Sequence, residues 1–179
     1  MNKLGYVTLS GRGRIDRLIA DAVAGLEQSG LRLVGTVQTN IERADGRTCD
    51  MDLRLMPDGG DVRISLNRGP EARGCRLNAD ALEQSVAWVS AHLEGAELLV
   101  INKFGKMEAE GRGLRQSIAR AMDLNIPVLV GVNGLNLPAF LDFAGELAEP
   151  IEPAPNAVIA WCLAACGRSL QAAPLAEGM

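Results

Sequence analysis

The chain has 179 residues, with 47% hydrophobic, 22% charged and 3% aromatic residues, and a formal net charge of −4 at pH 7. Its length suits one domain of ordinary size, and its negative charge argues against broad nucleic-acid binding, which needs a clustered basic surface. The longest apolar run near the C-terminal end, 157–166, is about half a membrane span. We therefore expect no nucleic-acid or membrane partner and, because no signal-peptide pattern is visible, a cytoplasmic location.

The cysteine and histidine positions give little support to metal binding. The four cysteines, Cys49, Cys75, Cys162 and Cys166, form no CxxC pair, and the chain has one histidine. A structural zinc site usually needs four such ligands at close spacing. The sequence therefore predicts no metal site.

The first part of the chain reads as a strand, a helix and a second strand. A β-run at 4–9 is broken by glycines and arginines at 10–14, after which apolar residues recur at helical spacing. Gly30 is well placed to end this helix because glycine readily adopts the left-handed cap conformation. Residues 31–39 form the second predicted strand, so a glycine-rich turn opens the helix between the two strands.

Residues 40–77 change character. The alternating runs CDMDLRLM and DVRISLN are separated by PDGG, a pattern typical of a β-hairpin. We predict an inserted hairpin at about 40–77. Asn78 then offers an N-cap for an amphipathic helix over 79–93.

The remaining residues alternate between apolar strands and helices. Strands are predicted at 96–101 and 126–132, and helices at 112–124, 137–147 and 156–170. This alternation indicates an α/β fold with a mainly parallel sheet. We expect a single domain over 1–170 and a flexible tail over 171–179. Because such sheets bind ligands beyond the carboxyl ends of their strands, the loops at 10–14, 102–113 and 133–137 are the expected ligand edge.

The first of these loops, in TLSGRGRID, resembles a degenerate phosphate-binding loop. Against the pattern GxxxxGK[ST], Gly13 is retained, Arg14 stands at the lysine and Ile15 stands at the hydroxyl that binds magnesium. Arg14 could still contact an anion, whereas Ile15 cannot bind magnesium. The alternative interpretation is an ordinary glycine turn that starts a helix.

The second loop follows the apolar run LLVI. In an ATPase with a phosphate-binding loop, the corresponding strand ends in a carboxylate that holds magnesium. Asn102 and Lys103 stand there instead, and Lys103 would repel a metal ion. Both positions that handle magnesium are therefore altered together. Lys103 and Lys106 could supply positive charge directly to a bound anion, or they could be solvated loop residues.

The segment VINKFGKMEAEGRGLRQSIARAMDLNIPVLVGV, 100–132, resembles the corresponding region of small nucleoside-triphosphatases with a P-loop fold. The residues that match a Gly-Lys-Met-Glu run in that family are Gly105, Lys106, Met107 and Glu108. Asn102 and Lys103 depart from it at the catalytic carboxylates. The resemblance implies a three-layer P-loop-like sheet with an inserted hairpin.

Nearly the whole chain resembles more closely an uncharacterised bacterial domain family that is often labelled together with molybdate ABC transport ATPases. The segments that carry this likeness are GTVQ, GCRLN and NKFGKMEAEGRG. The resemblance implies the same fold. The molybdenum association is a label of the family and implies little about mechanism.

Further candidates lie around this edge. Cys75 and Arg76 could reach it from the hairpin, although Cys75 could equally be a small buried apolar residue. Gln38 could bind a ligand or satisfy backbone groups. The complete set of predicted ligand-binding residues is Gly11, Gly13, Arg14, Gln38, Cys75, Arg76, Asn102, Lys103, Gly105, Lys106, Glu108 and Arg112.

Three functions remain open from the sequence. The first is a protein that binds a nucleotide or phosphate on a degenerate P-loop scaffold with weak or no hydrolysis, with Glu108 orienting the loop. The second is a non-catalytic protein that binds or senses an oxyanion such as molybdate. The third is an active nucleoside-triphosphatase in which Glu108 or Glu110 replaces the lost carboxylates. Each has a small anionic ligand as its partner, and the sequence indicates no oligomeric state.

Overall fold

The computed structural model describes residues 3–44, 46, 49–66 and 77–169. Its strands are β1 (Leu4–Val7), β2 (Leu33–Glu42), β3 (Cys49–Met56), β4 (Gly60–Arg63), β5 (Leu98–Phe104), β6 (Val128–Val132) and β7 (Ala148–Pro150). Its α-helices are α1 (Arg14–Glu27), α2 (Ala79–His92), α3 (Lys106–Ala109), α4 (Arg115–Asp123), α5 (Leu137–Ala144) and α6 (Pro155–Ala165), with a 3₁₀ turn at Gly145–Leu147.

The described strands form one sheet in the order β4-β3-β2-β5-β6-β1-β7. The pairs β2–β5, β5–β6, β6–β1 and β1–β7 are parallel, and β2–β3 and β3–β4 are antiparallel. The predicted α/β fold with a mainly parallel sheet and a hairpin at one side is therefore confirmed. It is consistent with a three-layer, P-loop-like arrangement.

Helices cover both faces of the sheet, which explains the continuous apolar runs of the central strands. On one face, α1 and α6 pack against strand residues such as Val7, Val100 and Leu129. On the other face, α2, α4 and α5 pack against residues such as Ile101 and Val130. A third, smaller cluster joins the hairpin to α2. No helix of the described residues has both the length and the apolar character needed to cross a bilayer.

The α2 boundary follows the sequence closely. The side chain of Asn78 accepts a hydrogen bond from the backbone N–H of Ala81 at 3.2 Å. This contact satisfies one of the backbone donors left free at a helix start. The predicted N-cap is confirmed.

The segment after β5 differs from the prediction. The strand was expected to end at residue 101, but it continues to Phe104. The buried ring of Phe104 packs edge-on against the ring of Phe140, with 5.3 Å between the ring centroids. The following residues form the short helix α3 instead of an open loop. The prediction that Lys103 lies in a loop is therefore wrong, because burial of Phe104 keeps the chain in the sheet. The predicted tail at 171–179 lies outside the described residues.

Candidate functional site

The glycine turn before α1 lies at the carboxyl edge of the sheet. Gly11 and Gly13 have φ angles of 106° and 72°, in the left-handed region that favours glycine. Gly13 is the N-cap of α1 and offers no side chain to cap the helix. Arg14 folds back over the turn, and its Nη1 donates to the backbone oxygen of Ser10 at 3.1 Å. The first turn of α1 thus presents backbone N–H groups without a side-chain cap.

Asp16 occupies the centre of a buried polar cluster in this first turn. The side chains that donate to its carboxylate are Asn102 Nδ2 at 2.8 Å, Asn40 Nδ2 at 2.7 Å and Gln38 Nε2 at 3.5 Å. The ammonium of Lys103 lies 3.7 Å from Asp16 Oδ1. Asp16 is 4% exposed, so its negative charge is compensated by amide donors and one lysine rather than by water.

A β-bulge in β5 explains how two consecutive residues reach one carboxylate. Ile101 pairs with Val130 and Phe104 pairs with Val132, so β5 has one more residue than β6 between these points. In a regular strand, neighbouring side chains point to opposite faces. The bulge falls at Asn102 and Lys103, and both side chains approach Asp16 Oδ1.

Asn102 and Gln38 also contact each other across the parallel strands. Asn102 Oδ1 accepts from the backbone N–H of Gln38 at 2.9 Å, and Gln38 Nε2 donates to Asn40 Oδ1 at 2.8 Å. Asn102 is 1% exposed. These amides therefore hold the cluster together. Two of its members reach solvent: Asn40, which is exposed, and Lys103, with 38% of its side chain exposed.

Glu108 organises the segment that follows β5. Its two carboxylate oxygens accept from the backbone N–H groups of Gly105 at 3.0 Å and Leu114 at 3.1 Å. A methyl group built on Gly113 would collide with this carboxylate. Glu108 thus fixes the path between α3 and α4, and neither of its oxygens is free in this conformation.

Lys106 and Arg112 contact Glu110 instead of the Asp16 cluster. Lys106 Nζ lies 3.9 Å from Glu110 Oε1, and its side chain is 87% exposed. Arg112 Nη2 donates to Glu110 Oε2 at 2.6 Å, and this hydrogen bond is the main cause that lowers the pKa of Glu110. These residues form a solvated charged surface on α3 and the turn after it.

The predicted set is therefore divided by the structure. Gln38, Asn102 and Lys103 meet around Asp16, close to the turn formed by Gly11, Gly13 and Arg14. Gly105, Lys106, Glu108 and Arg112 belong to the neighbouring α3 segment. Cys75 and Arg76 lie outside the described residues. Within the described ranges, no three His, Cys, Asp or Glu residues are grouped as a metal site would require.

Sequence reasoning missed Asp16, although two signals could have indicated it. Asp16 follows directly on the altered P-loop positions. Gly131 lies inside β6, where a methyl group would collide with the carbonyl oxygen of Asn102 and with Ile15. A glycine inside a strand often marks such a close approach, and here it allows α1 to lie against the β5 bulge.

The sheet, the helices on both faces and the glycine turn before α1 define an α/β protein whose architecture is consistent with a P-loop-like fold. The chain belongs to the family described as "Protein of unknown function (DUF2478)", whose model matches residues 4–161.

A relative in Bradyrhizobium diazoefficiens, "Molybdenum import ATP-binding protein ModC 2", is 34% identical over 161 residues. The alignment covers 89% of this chain but 18% of that relative. The chain therefore spans less than a fifth of the length of that relative. No solved structure matches the chain significantly.

Proposed function

We propose that this protein binds a nucleotide or another phosphate-bearing ligand at the carboxyl edge of the sheet, with weak or no hydrolysis. The observation that carries the proposal is the position of Lys103, whose ammonium lies 3.7 Å from Asp16 in the first turn of α1. The N-terminal end of a helix attracts anions through its free N–H groups and its dipole. Lys103 adds a full positive charge beside that end, and its partial exposure leaves donors available to a ligand.

Lys103 also accounts for the altered magnesium positions. The Asp16 carboxylate accepts hydrogen bonds from Asn40 and Asn102, and both of those donors are neutral amides. A divalent ion placed on this carboxylate would have to displace the Lys103 ammonium. We infer that the lysine supplies the charge that a magnesium ion supplies in related triphosphatases.

The contacts of Glu108 favour weak or no hydrolysis. A general base needs an oxygen that can reach a water molecule. Both oxygens of Glu108 accept backbone N–H groups, and Glu110 is engaged by Arg112. An active triphosphatase that uses Glu108 remains the alternative, and it would require that the α3 segment rearrange.

A second candidate ligand is a tetrahedral oxyanion such as molybdate. It is favoured by the printed name of the relative, which concerns molybdenum import. The same lysine and helix end would suit such an anion. Because the alignment spans 18% of that relative, the import activity belongs to the whole relative and extends to this chain only as a proposal.

Isothermal titration calorimetry with ATP, GTP, inorganic phosphate and molybdate tests these candidates. The ligand that binds most tightly identifies the class of anion that the site prefers. Lys103→Ala should weaken the binding of that ligand at least tenfold. This expectation follows from the loss of one charge-assisted contact, worth about 1.5–3 kcal/mol. Lys3→Ala is the matched control, because Lys3 precedes β1 at the opposite edge of the sheet. Unchanged affinity in Lys103→Ala would contradict the proposal for every ligand tested.

A turnover assay separates binding from hydrolysis. Phosphate release from ATP and GTP in the presence of magnesium should be at, or only slightly above, the level of the buffer alone. Steady turnover that is abolished in Glu108→Gln, in a protein that still binds nucleotide, would establish the active triphosphatase instead.

A further inference from the structure

A cleft of about 710 Å³ opens at the amino end of β2, at the opposite end of the sheet from Asp16. Its volume lies within the range of sites that bind ligands. Three walls enclose it. They are the turn between β3 and β4, the C-terminal end of α2 and the residues that lead into β2.

The cleft exists because β3 does not extend alongside the first two residues of β2. The antiparallel register of β2 and β3 stops at Gly35 paired with Met56, whereas β2 starts two residues earlier, at Leu33. On its other side, Leu33 already pairs with Leu98 of β5. The chain turns away after Met56 into the β3–β4 turn, so the space alongside Leu33 has no strand.

The backbone of Leu33 faces this space. Gln38 directs its N–H toward β5, and the backbone oxygen of Arg32 accepts from the residues that start β5. Since backbone groups alternate sides along a strand, even-numbered residues of β2 face β5 and odd-numbered residues face β3. Gly35 pairs with Met56, the last residue of β3, and Leu33 is the next odd-numbered residue toward the start of β2. Its N–H and C=O therefore form a short open strand edge at the base of the cleft.

The charges around the cleft have opposite signs at its two sides. Glu27 pairs with Arg54 and Glu94 pairs with Arg120, each at 2.7 Å. The lining residues Arg32, Asp58 and Asp61 have no such side-chain ion pair among the described residues. Arg32 lies against Gly95 on one wall, and the two aspartates belong to the β3–β4 turn and the start of β4.

The floor of the cleft is apolar, with Leu31, Leu55 and Met56 among its lining residues. His92 lines the wall formed by α2, where its Nδ1 lies 2.8 Å from the backbone oxygen of Trp88. If Nδ1 donates in this contact, Nε2 is the acceptor that remains for a ligand.

We propose that this cleft binds an extended peptide segment of a partner protein, which continues the line of β3 alongside the start of β2. The peptide backbone pairs with the open edge at Leu33, and an apolar side chain rests on the floor. An acidic residue at one end faces Arg32, and a basic residue at the other end faces Asp58 and Asp61. Adding a strand to an open edge is a common way to bind a peptide, because backbone pairing gives affinity and side-chain pockets give specificity.

A labelled pentapeptide, acetyl-Lys-Leu-Val-Leu-Asp-amide, tests the proposal by fluorescence anisotropy. Two further versions carry N-methyl groups, one on the second and fourth residues and one on the third and fifth. Because only alternate N–H groups face the receiving strand, one methylated version should lose at least tenfold in affinity and the other should bind within threefold. Equal affinities of the two methylated versions, or no binding of the parent peptide at millimolar concentration, would overturn the proposal.

Two tryptophan variants on α2 locate the peptide. Ala91 lines the cleft, so Ala91→Trp should fill it and weaken binding at least tenfold. Ala87 is exposed on the same helix and does not line the cleft, so Ala87→Trp should bind within twofold of the parent protein. A peptide that binds both variants equally well lies elsewhere, which contradicts the proposal. Saturating inorganic phosphate should leave the peptide affinity unchanged, so this result is independent of the anion site.

Discussion

The ammonium of Lys103 and the carboxylate of Asp16 lie 3.7 Å apart where the β5 bulge meets the first turn of α1. This ion pair joins the two segments in which the sequence predicts altered P-loop motifs. The strand carries the amide of Asn102 and the ammonium of Lys103, and the helix carries the carboxylate of Asp16. Because the two side chains carry opposite charges, their removal should change anion binding in opposite directions.

Neutralising Asp16 should destabilise the fold but strengthen anion binding. Asp16→Asn replaces one buried acceptor oxygen with an NH₂ group that faces other donors, which should lower the free energy of unfolding by about 1–3 kcal/mol. The same change leaves Lys103 without a neighbouring negative charge, so inorganic phosphate should bind more tightly than to the parent protein. Urea denaturation and calorimetry measure the two effects. Weaker phosphate binding in a folded Asp16→Asn variant would show that the carboxylate positions the ammonium.

Anion binding should not require magnesium. Because Lys103 stands beside the carboxylate that a metal ion would need, we expect the affinity for inorganic phosphate to agree within twofold in EDTA and in excess magnesium. Calorimetry in matched buffers measures both values. Loss of binding in EDTA would contradict the role assigned to Lys103 and would favour a metal-dependent site.

Glu108 should matter for stability more than its exposed neighbour does. Glu108→Gln replaces an oxygen that accepts a backbone N–H with an amide donor, and the loss should be about 1–3 kcal/mol. Glu110→Gln is the matched control, because it weakens exposed ion pairs that contribute under about 1 kcal/mol. Urea denaturation compares the two variants. Equal stability would mean that the Glu108 hydrogen bonds do not hold the α3 segment in solution.

The cysteines of α6 should react slowly with alkylating reagents. Burial raises the pKa of Cys162 and is also the main cause that raises the pKa of Cys166 to about 11. Since the thiolate is the reactive form, both residues should remain mostly unmodified by iodoacetamide at pH 8 in the native protein and become modified in urea. Peptide mass spectrometry gives the extent at each position. Rapid native modification of Cys162 would contradict its burial.

The fold could be predicted from the sequence because local patterns and tertiary packing agree over most of the chain. The apolar runs at β5 and β6 and the Asn78 cap are examples. The predictions failed where a long-range contact decides the structure. Phe104 extends β5 because its partner Phe140 lies on a distant helix, and the three residues of β7 form a strand only by pairing with β1.

The candidate site was predictable only in part, for the same reason. The bulge depends on the register of β5 against β6, which no local pattern indicates. Asp16 has the sequence appearance of an exposed acid in a first helical turn. Only the approach of β2 and β5 buries it and turns it into the centre of the cluster.

Glu97 should make the stability of the protein depend on pH in the acidic range. Its Oε2 accepts from the backbone N–H of Arg32 at 2.8 Å, and its Oε1 accepts from Arg168 Nη2 at 2.7 Å. The Arg32 backbone contact is the main cause that lowers the pKa of Glu97 from 4.5, and the Arg168 hydrogen bond follows. Because the folded state favours the charged form, the stabilisation is present above pH 4.5 and is lost as the pH falls through the folded pKa.

Glu97→Gln should therefore be less stable than the parent protein at pH 7, and the difference should shrink below about pH 4.5. The loss at pH 7 should be about 1 kcal/mol or less, because the pair is partly exposed to solvent. Arg168→Ala removes the weaker of the two causes and should show a smaller change with the same direction. Urea denaturation at several pH values between 3 and 7 measures both. A difference that stays constant over this range would mean that the pKa of Glu97 is the same in the folded and unfolded states. The hydrogen bonds of Glu97 with Arg32 and Arg168 would then not stabilise its charged form.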